Sequence, residues 1–561
     1  MRLLSLLFFL ALSAFPQSES DKEFIELYLK IQVLEKEIAL SDTLFEGGVV
    51  VYTQAVEGTN FTHYISQPGI VSSKENILVS VEMGGMVVNR LVEEGRWVNK
   101  GDAIIQLDAS ILSNQVEDLR QSTELAKTTY ERQDNLWKQG DNQYNGPITI
   151  NNTTVLKAVA YSSDPEILPS FMEFGTYFIG VTHTVKILSV SGRESDNMGD
   201  PELYELIAGG NQIEPNGTFE LYNPDGSLFD KARGEFNEHG NDSWAYQQRG
   251  FDYITRDQFG YNYAIKGEVF NDNDRDRFQR FIVKCAANDN YPFAYGSSGA
   301  HIRDAYVQSL SQVANLRLDE RSHESCVMYL NGEYWGVYEL REKVDDLDFT
   351  DKYYDQDSVA FLKTWGGTWV DVLTDGQNPN DVENLWDDIR NYITGNDMSI
   401  QANYEYVKDR YNVGSLIDYF ILNSYIVNSD WLNWNTAWWR GRHPDGNGKK
   451  WRYALWDMDN TFGHGANYTG IPNQSADADP CNPESLGNVG GQGHIPIFNS
   501  LMENEDFWAT YINRWADLSN THFSCDNMHA VLDSMINVIE PEMDRHIDRW
   551  GGSYDGWMAN V

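Results

Sequence analysis

Residues 415–435 read SLIDYFILNSYIVNSDWLNWN, and residues 450–463 read KWRYALWDMDNTFG. In the first stretch the apolar residues of 415–427 predict a helix that ends in the polar run Asn428, Ser429 and Asp430, and Asn435 follows five positions after Asp430. In the second, an apolar strand delivers Asp457 and Asp459 just ahead of Phe462 and Gly463. A carboxylate placed directly after an apolar segment is costly to leave unpaired, so Asp430 and Asp457 read as functional rather than decorative. One Asp that orients a hydroxyl, one amide oxygen at that spacing, and one carboxylate at a strand end are the groups that must meet at a single phosphoryl centre.

The argument extends upstream. Residues 240–257 read GNDSWAYQQRGFDYITRD, a small-residue loop followed by an alternating run with Phe251, Tyr253 and Thr255 facing one way. Such a loop can bring backbone N–H groups close to phosphates, and taken alone it reads first as an ordinary hairpin turn. Next come a strand in FQRFIVKCAANDNYP (278–292) and a helix in GAHIRDAYVQSLSQVANL (299–316), spaced by Ile302, Ala305, Tyr306, Leu310 and Val313. SCVMYLNGEYWGVYELREKVD (325–345) is two strands joined through Asn331-Gly332, with Glu342 closing the second. Loop, strand, helix and hairpin is the order of elements in a kinase N-lobe. The run NDNDRDR at 271–277 lacks the glycine and closing glutamate of a calcium loop and is read as a solvated loop.

GNDSW, YLNGEYWGVYELREKVD, NSDWLNWN and WDMDNTFG, in this order, resemble the CotH family of secreted kinases with an atypical kinase-like fold, over the C-terminal half from about Gly240. The resemblance implies Gly240, Asn241 and Ser243 in the phosphate loop, and Arg249 where the family usually has a nucleotide-contacting lysine. It also implies Asp430 as catalytic base, Asn435 and Asp457 as metal ligands, and ATP with Mg²⁺ or Mn²⁺ as cofactors. Glu342 either joins the nucleotide site or pairs with Arg341 or Lys343 at the surface. Asp459 either joins the metal ligands or caps the Asn460-Thr461 turn. Where the family commonly has two lysines after the loop, this chain has Gln248-Arg249, and a planar guanidinium does not replace an ammonium.

The N-terminal part is assembled differently. MRLLSLLFFLALSAFPQSES, with one cation at Arg2, an apolar run over 3–15 and small residues at Ser13 and Ala14, predicts a signal peptide over 1–18. That run is too short to span a bilayer, and no transmembrane helix is expected in the mature chain. Residues 42–108 predict a β module, and EEGRWVNKGDAIIQLD within it is similar to the lipoyl-like half-module of periplasmic adaptor proteins of efflux pumps. Met83-Gly84-Gly85-Met86 stands where a lipoyl carrier has its lysine, so no lipoyl or biotin attachment is expected. Residues 109–139 predict one long helix without the returning partner an adaptor needs. The turns and short strands of 140–180 resemble part of the β-sandwich that ends some hexosaminidases.

The expectation is a multidomain α+β chain: signal peptide 1–18, partial adaptor-like module with one coiled-coil helix 42–139, partial β-sandwich 140–180, and an atypical kinase-like domain with a β extension over 181–561. A formal charge of -42 opposes binding to nucleic acid. Export makes Cys285, Cys326, Cys481 and Cys525 possible disulfide partners in three pairings. One reading is an exported kinase acting on Ser or Thr of secreted or surface proteins. A second is a non-catalytic surface, adhesion or coat protein on a kinase-like scaffold. An efflux adaptor fragment is a third, disfavoured by the missing helix.

Overall fold

The computed structural model describes residues 87–107, 144–164, 167–192, 203–209, 214–240, 246–293, 299–371, 373, 377–466 and 492–561, together with Lys30 and Arg120. The predicted signal peptide, Asn241, Ser243, Cys481 and nearly all of the predicted long helix lie outside these residues. The chain is a multidomain α+β protein that divides into two compact units, 1–144 and 145–561.

In the first unit, β1 (Val87–Arg90) pairs antiparallel with β2 (Ile105–Leu107), as expected for alternating runs separated by glycines.

The second unit opens with the hairpin β3 (Thr154–Ala158) and β4 (Glu173–Tyr177). Read from sequence as part of a separate module, this hairpin instead docks on the domain that follows. Thr176 donates its N–H to Glu220 Oε2 at 2.9 Å and its hydroxyl to Oε1 at 2.8 Å. The compact unit therefore begins near 145 rather than 181.

A closed barrel comes next, formed by β5 (Lys186–Ser191), β6 (Asn216–Tyr222), β7 (Leu228–Glu238), β8 (Phe251–Thr255), β11 (Arg280–Lys284), β12 (His323–Leu330) and β13 (Glu333–Arg341). The short pair β9 (Ile265–Lys266) and β10 (Arg277–Phe278) lies between β8 and β11 in the chain. β12 closes the barrel by pairing parallel to β5, with Cys326 opposite Lys186. Alternation sends Phe251 and Tyr253 of β8, and Phe281 and Val283 of β11, into the barrel core. Lys284 consequently faces out, towards helix α1 (Arg303–Val313). Cys285 and Cys326 are buried thiols of this core, and neither is disulfide-bonded.

A segment through α2 (Leu347–Tyr354) leads to a four-stranded antiparallel sheet ordered β15 (Gly367–Asp371), β14 (Val359–Trp365), β16 (Thr436–Gly441), β17 (Arg452–Ala454). One face of this sheet joins a large apolar core with α3 (Pro379–Gly395), α4 (Gln401–Lys408), α5 (Val413–Tyr425), α6 (His494–Met502) and α7 (Glu505–Asn520). The long helix α8 (Cys525–Trp550) and short α9 (Tyr554–Met558) return the chain to the barrel. Gly336 of β13 is required there, since a Cβ would stand 2.7 Å from Gln248 Nε2 and 2.8 Å from Trp550 Nε1. Among the described residues no helix is long and apolar enough to cross a membrane.

Candidate active site

Two loops lie side by side where α5 and β17 end. Ser429 donates both its N–H and its hydroxyl to the Asn460 carbonyl, at 3.1 and 3.2 Å, and Phe462 N–H reaches the Ile426 carbonyl at 2.9 Å. The Asn435 amide donates to Asp430 Oδ2 at 2.8 Å, so the spacing read from sequence becomes a direct contact. Asn428 supports it from behind, accepting the Asp430 N–H at 2.9 Å while donating to Asn423 at 2.7 Å.

Both loops hold strained backbone. Val427, Leu432, Asn435, Asp457 and Phe462 all have left-handed φ, between 38° and 70°. Branched and bulky residues rarely adopt this conformation, and it persists only where surrounding contacts over-determine it, most often at functional sites.

The cation facing these loops is one the sequence reading missed. Lys284, buried at the end of β11, is paired with Asp304 in the first turn of α1 and reaches Asp457 Oδ1 at 2.7 Å. Arg341 shares the same Asp304 oxygen, Oδ2, at 2.7 Å. Burial pushes the Asp304 carboxyl up, but Arg341 and Lys284 outweigh it and hold the group well below the usual carboxylate range. Burial lowers Lys284, and the charges of Asp304 and Asp457 more than reverse that, leaving a firmly protonated ammonium.

Asp459 behaves differently. It is buried, accepts the Asn288 N–H at 3.0 Å, and is pushed well up by burial and by the neighbouring Asp457 charge. This backbone contact comes from the turn after β11. Trp456, just before Asp457, lies under two cations, with Arg321 at 4.0 Å and Lys363 at 4.2 Å from its ring centre. A further line of charge reaches the predicted phosphate loop: Lys363 binds Asp345 (2.7 Å), Lys343 lies between Asp345 (3.4 Å) and Asp252 (2.9 Å), and Asp252 binds His239 (2.9 Å). His239 immediately precedes Gly240, which takes the left-handed φ of 86°.

Two sequence-predicted residues are not brought to this cluster. Arg249 is buried beside the barrel end, where its Nε donates to the Tyr246 carbonyl at 3.1 Å and its own carbonyl accepts from Tyr338 at 2.9 Å. Glu342 neither lies at the surface nor pairs with Arg341 or Lys343. It is buried against Arg275 at 2.8 Å and Tyr353 at 3.1 Å. Arg275 belongs to the run read as a solvated loop; the run is mostly exposed, and Arg275 alone is buried. A signal for Lys284 did exist, as a lone ammonium closing the apolar strand FIVK, but its acids lie 20 and 173 residues away.

Residues 236–560, more than half of the chain, match the family described as CotH kinase protein, and the chain belongs to that family. No curated protein matches the chain.

Proposed function

We propose that this protein is an exported kinase that uses ATP with Mg²⁺ or Mn²⁺ to phosphorylate Ser or Thr hydroxyls of secreted or surface proteins. The observation that carries the reading is the placement of Lys284 between Asp304 and Asp457, with the Asp457 loop hydrogen-bonded through the Asn460 carbonyl to Ser429, the neighbour of Asp430. A strand lysine paired with a helix acid, a carboxylate on an adjoining loop, and an Asp–Asn pair are the groups that kinases align along a transferring phosphoryl.

In this reading Asp430 orients the acceptor hydroxyl and takes its proton, held in register by Asn435. Lys284 places its ammonium on the nucleotide phosphates, in the role the sequence had suggested for Arg249, while Gly240 opens the loop that covers them. Asn435, Asp457 and Asp459 offer the hard oxygen donors that suit Mg²⁺, which when bound neutralises phosphate charge. Two features support the fit. Asp457 keeps its side chain 34% exposed. Asp459 is driven towards neutrality first by burial and then by the Asp457 carboxylate, a repulsion that a divalent ion relieves. Among the described residues no three His, Cys, Asp or Glu side chains form a ready-made cage, which accords with an ion held by one or two carboxylates and the substrate phosphates.

Export rests on the cationic, apolar start of the chain.

The test is phosphate incorporation by the full chain with Mg²⁺ or Mn²⁺, beside Asp430→Ala and Asp457→Ala. Incorporation that both substitutions abolish supports the kinase. A parent that neither binds nucleotide nor transfers phosphate leaves the non-catalytic scaffold.

A further inference from the structure

The tip of the β14–β15 hairpin reads WGGTW (365–369), and the stretch after Asp430 reads WLNWN (431–435). In the hairpin register Trp365 pairs with Gly367 and Lys363 with Trp369. Side chains alternate along a strand, so Trp365 and Trp369 stand on the face that carries Lys363, which itself covers Trp456 beside Asp457. Trp365 meets Trp434 edge to face, with ring centres 5.4 Å apart. Gly366 donates its N–H to the Asn433 carbonyl at 2.8 Å, and a Cβ there would stand 3.0 Å from the Trp434 ring. The hairpin tip is thus pinned to the Asp430–Asn435 loop, yet Trp365 remains 58% and Trp369 42% exposed. Single exposed aromatics are ordinary, whereas several gathered on one face beside a reactive loop mark an interaction surface.

Charge indicates the kind of partner. In a chain with 22% charged residues, neither 365–369 nor 431–435 contains an ionisable side chain. The cation on this face, Lys363, is neutralised by Asp345 at 2.7 Å and Asp371 at 2.5 Å. A charged partner finds no complementary group in these two segments, and a purely apolar one would leave the indole N–H edges of the exposed tryptophans without an acceptor. Flat, part-exposed indoles, each with an N–H edge to donate, suit a neutral, hydroxyl-rich chain whose ring C–H faces lie on the aromatic rings.

We propose that Trp365, Trp369 and Trp434 form a docking platform for a neutral saccharide chain carried by the acceptor, so that the substrate class is glycosylated surface protein. The glycan lies on the platform while a hydroxyl of the same molecule reaches Asp430. The inference deepens the kinase reading and rests on it for the reaction, though not for the binding.

The full chain is applied to an array of neutral oligosaccharides (gluco-, manno-, xylo- and N-acetylglucosamine hexamers) and unglycosylated Ser-containing peptides, and hits are titrated by tryptophan fluorescence. The expected result is binding of at least one oligosaccharide, weakened on the order of tenfold by Trp365→Ala or Trp369→Ala and largely retained by Trp365→Phe, with melting temperatures unchanged. Absence of oligosaccharide binding, binding indifferent to both alanine variants, or capture of peptides in place of sugars overturns the proposal. A parent that binds sugar through these residues but transfers no phosphate keeps the platform and loses the kinase. Phosphate transfer without sugar binding does the reverse.

Discussion

Asp304 and Asp418 are both fully enclosed carboxylates flanked by two cations, and they differ in where those cations end. Asp418, on α5, takes Arg317 through Nε and Nη2 at 2.8 and 2.9 Å, the Arg317 backbone N–H at 2.8 Å, and Arg514 of α7 at 2.9 Å. Among the described residues neither arginine has a second carboxylate within ion-pair reach, so the cluster is closed and its function is to fix α5 and α7. Asp304 takes Arg341 and Lys284, but Lys284 continues to Asp457, one-third of whose side chain is open to solvent. Both clusters reach solvent, and they differ in what reaches it: in the clamp it is Arg317, already held through two nitrogens on Asp418, and in the poised site it is the Asp457 carboxylate.

The comparison is broken most severely at its closed end. Asp418→Ala leaves two part-exposed arginines around an empty site, and removing one partner of a buried ion cluster costs about 3–5 kcal/mol, here nearer about 3 because Arg317 reaches solvent. Chemical denaturation should show that loss, while phosphate transfer per folded molecule stays at the parent level. Lys284→Met probes the open end. Asp304 keeps Arg341, so the fold survives, but a preorganised cation aimed at the nucleotide is gone, and the transfer rate should drop about 10²-fold, or about 2.7 kcal/mol. If transfer is insensitive to Lys284→Met, the cluster is a second clamp and the distinction fails.

A third prediction concerns buried groups kept neutral instead of charged. His301 Nδ1 accepts the Tyr291 N–H at 3.2 Å and its Nε2 donates to the Val337 carbonyl at 3.2 Å. His546 does the converse, accepting from Val337 N–H at 3.1 Å and donating to the Tyr291 carbonyl at 2.7 Å. Protonation would set an imidazolium N–H against a backbone N–H, and burial lowers the two to about 4 and about 3. Because the folded values lie below the unfolded value near 6.5, their contribution is complete above that pH and is lost as pH falls towards 4. Between pH 6.5 and 5.5 the pair should remove about 2 kcal/mol from the unfolding free energy. An unfolding free energy that stays flat over that window counts against the neutral pair, and His546→Gln should reduce the slope.

How much of this was legible beforehand follows from the distance over which each feature is encoded. The helix expected over 415–427 forms as Val413–Tyr425, the Asn331-Gly332 hairpin forms as β12–β13, and Asp430 meets Asn435, because spacing and turn chemistry act within a few residues. Lys284 escaped notice because strand periodicity says that it faces out but not which acids it meets. The parallel closure of β5 on β12 joins segments about 140 residues apart and leaves no local trace. Arg275 was misread for a related reason: a run of Asn and Asp predicts exposure, yet one member is drawn inward by Glu342.

Arg249 separates the two sources of expectation most finely, and its predicted effect is the smallest. The resemblance gave it a nucleotide role because it stands where a lysine is common. The geometry instead turns its Nε to the Tyr246 carbonyl and gives the cation's place near Asp457 to Lys284. If that geometry governs, Arg249→Lys alters contacts at the barrel end, and the KM for ATP should change by less than about threefold, equivalent to about 0.6 kcal/mol. The double variant with Lys284→Met should then be additive, since two cations that share no phosphate have no coupling to lose. A tenfold rise in KM for the single variant, or clear non-additivity in the pair, would return Arg249 to the nucleotide and make the phosphate grip a two-cation device.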